Sequence, residues 1–260
     1  MLRWLKVLPL ALVIVTLIIV TSSCSTSGSS TQARFVNAIA DTQAYNNSGL
    51  DVQVNGTKDF TNVTFPVPAS SNYTSIPAGN DTIEGLQYNS TTEVFSNSNV
   101  NLSGGKQYTL VATGSAASTS SVVILDPADN NTAPANGSVN FRVINASSFG
   151  PSGDGGAVDV YILPTGTTTN SCSAPNCIPA LAYQSTSGYM TLPYNSNGNG
   201  WQLIVTRSAG NSTPYFNFAI ANFGSVSEGA ICTLVLTDQE NGNAMSTLPV
   251  QLNDLNGCNP

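Results

Sequence analysis

The chain has 260 residues, 8% of them charged, a formal net charge of −7 and no histidine. That composition excludes the Ser-His-Asp triad, histidine-based transition-metal sites and the commonest general base. Of its seven Lys and Arg, the five beyond residue 6 are scattered, which excludes nucleic acid, because binding phosphates requires clustered cations.

In chain order, the first element is a leader. Arg3 and Lys6 form a basic start, Val7–Val20 is apolar and uncharged, and "TSSC" brings small residues up to Cys24. This is the layout of an export signal over residues 1–23, with lipidation expected at Cys24 as in a bacterial lipobox. Thr21 stands where a lipobox usually carries an aliphatic residue. An uncleaved membrane anchor and a signal cut elsewhere fit the same stretch, and all three arrangements place the body outside the cytoplasm. Residues 24–32 read as a Ser-rich tether. Removal of the leader leaves five basic residues (Arg34, Lys58, Lys106, Arg142, Arg207) against 14 acidic ones.

The body then says nearly the same thing twice. "ARFVNA" at Ala33–Ala38 returns as "FRVINA" at Phe141–Ala146, and "LDVQV" at Leu50–Val54 returns as "VDVYI" at Val158–Ile162. Arg34 and Arg142, like Asp51 and Asp159, lie 108 residues apart. A period this long signals two copies of one domain: residues 33–129, a Pro/Asn-rich linker at 130–137, and residues 138–257.

Within the copies, apolar residues alternate in short runs bounded by turn residues, and no segment carries a helical stripe. "LDVQV-NGT-KDFTNVTF" predicts a hairpin turning at Asn55–Thr57. "PAGN" at 77–80 predicts a turn between strands, "KQYTLVATG" and "SSVVILD" predict the last strands of the first copy, and "ENGN" at Glu240–Asn243 predicts a hairpin turn in the second. The fold expected is all-β, two antiparallel β-sandwiches.

Apart from Cys24, four cysteines remain, all in the second copy. An even number in an exported chain reads as two disulfides. Cys172 and Cys177 share one loop and pair together in the connectivity we expect, which leaves Cys232 to pair with Cys258. Two other connectivities satisfy the count. A four-cysteine zinc site is disfavoured by the open Cys232–Cys258 spacing.

"RVINAS…VDVYI", the "Y-x-x-L/I-P" step, "GKQYTLVATG" and "LDPADNNTAPANGSVNFRV" resemble the domain-of-unknown-function family DUF4397. The resemblance implies Ig-like β-sandwich modules, often in tandem in secreted bacterial proteins, and brings no catalytic residues with it. Members commonly carry His where this chain has Asn37 and Asn145.

The remaining chemistry rests on carboxylates and aromatics. The recurring Arg and Asp are expected to form a fold-holding salt bridge between neighbouring strands. Asp126, Asp129 and Asn130 lack the spacing of a calcium loop, and Asp238 and Glu240 are expected to face solvent. Trp201, Tyr189 and Tyr194 are the candidate ligand-contact aromatics, against the alternative that they are core. The reading is a non-enzymatic protein without cofactor or metal, anchored to the membrane by its N-terminal lipid at the bacterial cell envelope (outer membrane or cell surface). Its expected partner is an envelope polysaccharide or a surface protein. A spacer without ligand and a carboxylate-based glycoside hydrolase are the alternatives.

Overall fold

The computed structural model describes residues 30–39, 49–65, 73–114, 122–128, 132–148, 157–167, 172, 175–195, 200–207, 214–220, 226–239, 245, 249–255 and 257–258. The leader, Cys24, most of the Ser-rich stretch, Asp129, Asn130 and the "ENGN" turn lie outside them. The described residues are all-β, with no helix.

The first half contributes β1 (Thr31–Asn37), β2 (Leu50–Val54), β3 (Thr57–Val63), β4 (Thr74–Ile76), β5 (Gly79–Gln87), β6 (Glu93–Leu102), β7 (Gln107–Thr113) and β8 (Val122–Ala128). They build two sheets, ordered β4-β1-β7-β8 and β3-β2-β5-β6. The second half contributes β9 (Ser138–Asn145), β10 (Val158–Pro164), β11 (Cys177–Leu181), β12 (Ser185–Thr186), β13 (Met190–Pro193), β14 (Trp201–Arg207), β15 (Pro214–Ile220), β16 (Ile231–Leu236) and β17 (Val250–Leu255). Its sheets follow the same plan: β12-β9-β16-β17, with β13 also on β9, and β11-β10-β14-β15.

Local chemistry sets these elements. Asn55 and Gly56 take φ of 51° and 78°, both positive, so the β2–β3 hairpin turns on two left-handed residues, as the Asn-Gly pair anticipates. The Asn55 amide then ties the turn to β5 by donating to Asp81 at 2.6 Å and accepting from the Thr82 N–H at 2.8 Å. The turn at 77–80 does not close a hairpin. It carries the chain from one sheet to the other, because β4 pairs with β1 whereas β5 pairs with β2 and β6. β1 opens at Thr31, two residues inside the stretch read as tether, because Gln32 already pairs with Gln107.

The expectation of antiparallel sheets is corrected at two places. β1 runs parallel to β7, and β9 runs parallel to β16. A parallel neighbour needs a long crossover. Here each crossover passes through the opposite sheet of the same half, so the opening strand can lie beside a late one.

Three apolar layers follow the alternation of side chains along these strands. Ala33, Phe35, Leu110 and Ala112 of β1 and β7 pack against Val52, Val54, Ile83 and Phe95 of the other first-half sheet. Phe141, Val143, Cys232 and Leu234 of β9 and β16 pack against Val160, Ile162, Leu203 and Val205. The residues between them point the other way. Val36, Ala38 and Val111 meet Ile144, Ala146, Val235, Val250 and Leu252 in a third cluster. The β4-β1-β7-β8 sheet thus faces the β12-β9-β16-β17 sheet, and the halves stack as four layers. Strands buried on both faces lose the polar alternation of a surface sheet, so every residue of β16 is buried.

One buried amide pins each half. The Asn37 side chain donates to the Val63 carbonyl at 3.1 Å, and Asn145 donates to that of Leu181 at 3.1 Å. Their oxygens accept from the backbone N–H two residues on, at Ile39 and Ser147. Each closes the end of an opening strand onto the partner sheet.

Candidate functional site

The segment Pro175–Thr191 crosses from the edge of one second-half sheet to the edge of the other and encloses an open groove of about 590 Å³. β11 is the end strand of its sheet, and β12 and β13 are the end strands of theirs. Leu181 and Met190, both members of the second-half core, reach the groove from below, and Ile178 packs beside them. Ser185, Thr186, Ser187 and Thr191 supply hydroxyls. Among the described residues, no Asp, Glu, Lys or Arg lines it.

The recurring Asp159 shapes one wall. Ala180 takes a φ of 48°, and its N–H donates to the Asp159 carboxylate at 2.8 Å where the β10–β11 register slips. Asp51 does the same in the first half, accepting from the N–H of Asn62, whose φ is 52°. The shared carboxylates therefore anchor bulged edge strands, the kind of irregularity that closes an edge to further pairing. Asp51 also accepts from Lys58 Nζ at 2.5 Å and from the Asn89 N–H. Burial pushes the Asp51 carboxyl up, but these donors outweigh it and hold the group below its ordinary value.

The expected Arg–Asp pairing within each half is not formed. Arg34 and Arg142 instead meet the buried Asp254 of β17. Arg34 donates to one Asp254 oxygen and, at 3.0 Å, to the Asn253 carbonyl; Arg142 lies 3.6 Å from the other oxygen. Thr233 and Tyr189 also donate to that second oxygen, at 2.5 and 3.3 Å. Sequence reading missed Asp254, because nothing near it repeats and its partners lie 112 and 220 residues away.

The three candidate aromatics do not share a platform. Trp201 is only 3% exposed and meets Phe141 edge-on at 5.5 Å, so as a ligand-contact residue it is corrected to core. The alternation Trp201-Leu203-Val205 on β14 accounts for this. Tyr194 is half-buried and packs against the same core. Tyr189 alone lines the groove, with the Arg142 guanidinium 4.9 Å from its ring centre. Just upstream, Tyr183 and Gln184 both reach Thr113 of the first half, each at 3.1 Å, so the groove adjoins the joint between halves.

The expectation that Asp238 faces solvent is also corrected. It is 1% exposed and accepts from the Ser147 hydroxyl and from both the N–H and hydroxyl of Ser148. Disulfides join Cys172 to Cys177 and Cys232 to Cys258. The first lies at the outer face of β10 and β14, against Tyr161, Leu163 and Ile204. Among the described residues, no group of three or more His, Cys, Asp and Glu is placed to hold a metal ion.

The domain of unknown function DUF4397 matches residues 31–161, just over half of the chain. The protein belongs to the DUF4397 family. The match covers the strands of the first half and continues through β9 into β10. No curated protein matches this DUF4397 chain. Among solved structures, the Bacillus anthracis TIE protein is similar at 10% identity and a TM-score of 0.21 over 80% of this chain. The chain spans about a third of that protein's length (33%), and so weak a likeness informs neither fold nor function.

Proposed function

We infer that this DUF4397 protein is a non-enzymatic scaffold of the bacterial cell envelope that presents one binding groove on a rigid two-module body. Residues 33–129 and 138–257 are read as tandem modules, supported by their matching strand orders. Lipidation at Cys24 would hold the pair to the membrane. The observation that carries the reading is the position of Tyr189, which forms groove wall and joint at once. A plain spacer needs the joint alone, and a freely hinged receptor needs only the groove.

The test is capture by the full-length chain in detergent of components from envelope polysaccharide and surface-protein extracts. A specific partner that Gly188→Phe releases supports the reading. No partner from a folded, disulfide-intact sample favours the spacer. For the anchor, mass spectrometry of the N-terminal peptide should find acyl chains on Cys24, and Cys24→Ser should move the protein to the soluble fraction. An unmodified Cys24 removes the anchor from the proposal.

A further inference from the structure

We propose that the groove takes an extended, uncharged polypeptide segment, which pairs with the β12–β13 edge and sets alternate apolar side chains on Ile178, Leu181 and Met190. This rests on the binding reading above and names its ligand class. The groove lies between the end strands of two sheets. An end strand presents a row of backbone N–H and C=O groups toward its open side. An extended peptide is the chemistry that satisfies such a row, with side chains of every second residue filling pockets.

The two edges are not equivalent. β11 carries Pro179, which has no N–H, followed by the bulge at Ala180 that Asp159 holds in place. Both features close an edge. From Ser185 to Leu192, in contrast, there is neither proline nor charge, and Pro193 stands only at the last position of β13, beyond the groove lining. This leaves β12–β13 as the edge open to pairing.

Floor and charge narrow the ligand further. Leu181 and Met190 belong to the core cluster and offer a hydroxyl-bearing ligand no hydrogen-bond partner on the floor, the groove's hydroxyls being those of Ser185, Thr186, Ser187 and Thr191 along the β12–β13 side. Burying unpaired hydroxyls there is unfavourable, whereas an apolar side chain gains by leaving water. Among the described residues the groove has no counter-ion for a charged ligand, although the chain as a whole is acidic. The site is also continuous with the joint, because Ser185 directly follows the two residues that touch Thr113.

Fluorescence anisotropy on the full-length chain in detergent tests this, using short capped peptides with Val or Leu alternating with Ser, Thr or Asn. Saturable binding is expected, weakened about tenfold or more by Gly188→Phe or by one Asp at an apolar peptide position. A Cβ at Gly188 meets no atom within 4 Å, so the phenyl ring enters open groove. If that variant melts early, Thr186→Lys is the second, because a lysine on an edge strand blocks pairing. Bound peptide should slow amide exchange at residues 185–191. Absence of peptide binding, or binding indifferent to both Gly188→Phe and Thr186→Lys, overturns the proposal. Binding of cellohexaose or maltoheptaose that Gly188→Phe abolishes would overturn the polypeptide assignment and leave the groove reading standing.

Discussion

Arg34 and Arg142, one from each half, converge on the carboxylate of Asp254 from opposite sides of the joint. Their settings match. Each Nε donates to the threonine opposite it on the parallel neighbour, Thr109 at 3.0 Å and Thr233 at 2.6 Å. Each guanidinium also lies over a tyrosine ring, Tyr73 at 5.0 Å and Tyr189 at 4.9 Å. The halves therefore meet through equivalent faces, with a buried charge where a surface sheet would have met water.

Removing the shared carboxylate should be costly. Asp254→Ala leaves two guanidinium groups buried around a lost counter-charge, and breaking a buried pair from one side typically costs about 3–5 kcal/mol. Replacing the whole set, Arg34→Met, Arg142→Met and Asp254→Leu together, should cost much less, because no charge stays buried. Urea denaturation of the three proteins decides it. A single variant as stable as the triple would mean that the clamp adds nothing to the joint.

Two aspartates on the first-half hairpin should respond to pH with opposite sign. Asp51 is held below its ordinary value, so its contribution is present above the unfolded value near 3.8 and drains as pH falls through the folded one. Asp51→Asn should therefore destabilise at neutral pH, and its difference from wild type should shrink in acid. Asp59 is raised by burial, only partly opposed by the Val54 N–H, and one of its oxygens has no partner. Its contribution is present below about 3.8 and lost as pH rises through the folded value. Asp59→Asn should raise the denaturation midpoint at neutral pH and give no gain in acid. A pH series of midpoints for both variants checks the signs.

The strands were legible in the sequence wherever one sheet face decides the pattern. "LDVQV" and its hairpin read correctly because Asn55-Gly56 fixes the turn locally and Val52 and Val54 share a core face. "RFVNA" and "TLVAT" were harder. Arg34, Thr109 and Thr113 look like solvent positions until a second sheet covers them, and only the rest of the chain supplies that cover. The recurrence of Arg and Asp was visible, but their partners were not, because Asp159 spends its carboxylate on a backbone N–H and Arg34 finds its acid in the last strand. The groove was illegible for a related reason. It arises from a bulge and a crossing between two edges, and neither leaves a periodic trace.

The two disulfides should differ in weight. Cys232–Cys258 closes a 26-residue separation and holds the chain just past Asp254, where Asn253 also accepts from the N–H groups of Gly257 and Cys258. In the chain-entropy view a loop of that size contributes about 3–4 kcal/mol. Cys172–Cys177 closes a separation of only 5 and lies away from the joint. Cys258→Ser with Cys232→Ser should lower the melting temperature more than the Cys172→Ser, Cys177→Ser pair. It should also speed amide exchange in β17 and, through Asp254, in β1. Equal losses, or no change in β1, would show that the C-terminal strand does not lock the halves together.

Trp201 and Tyr189 should separate stability from binding. Trp201 sits in the second-half core against Phe141 and does not line the groove. Trp201→Ala should cost about 3–5 kcal/mol through lost burial and the cavity it leaves, while binding per folded molecule stays near wild type. Tyr189→Phe keeps the ring on the groove wall and over Arg142, and removes the hydroxyl with its bond to Asp254. A hydrogen bond to a charged group is worth about 1.5–3 kcal/mol, so the joint should loosen by a related amount with the groove surface conserved. Tyr189→Ala removes both and should weaken binding as well. Chemical denaturation and peptide anisotropy on the same samples resolve the pattern. A Trp201→Ala protein that is fully folded yet unable to bind would return Trp201 to the site and undo its assignment to the core.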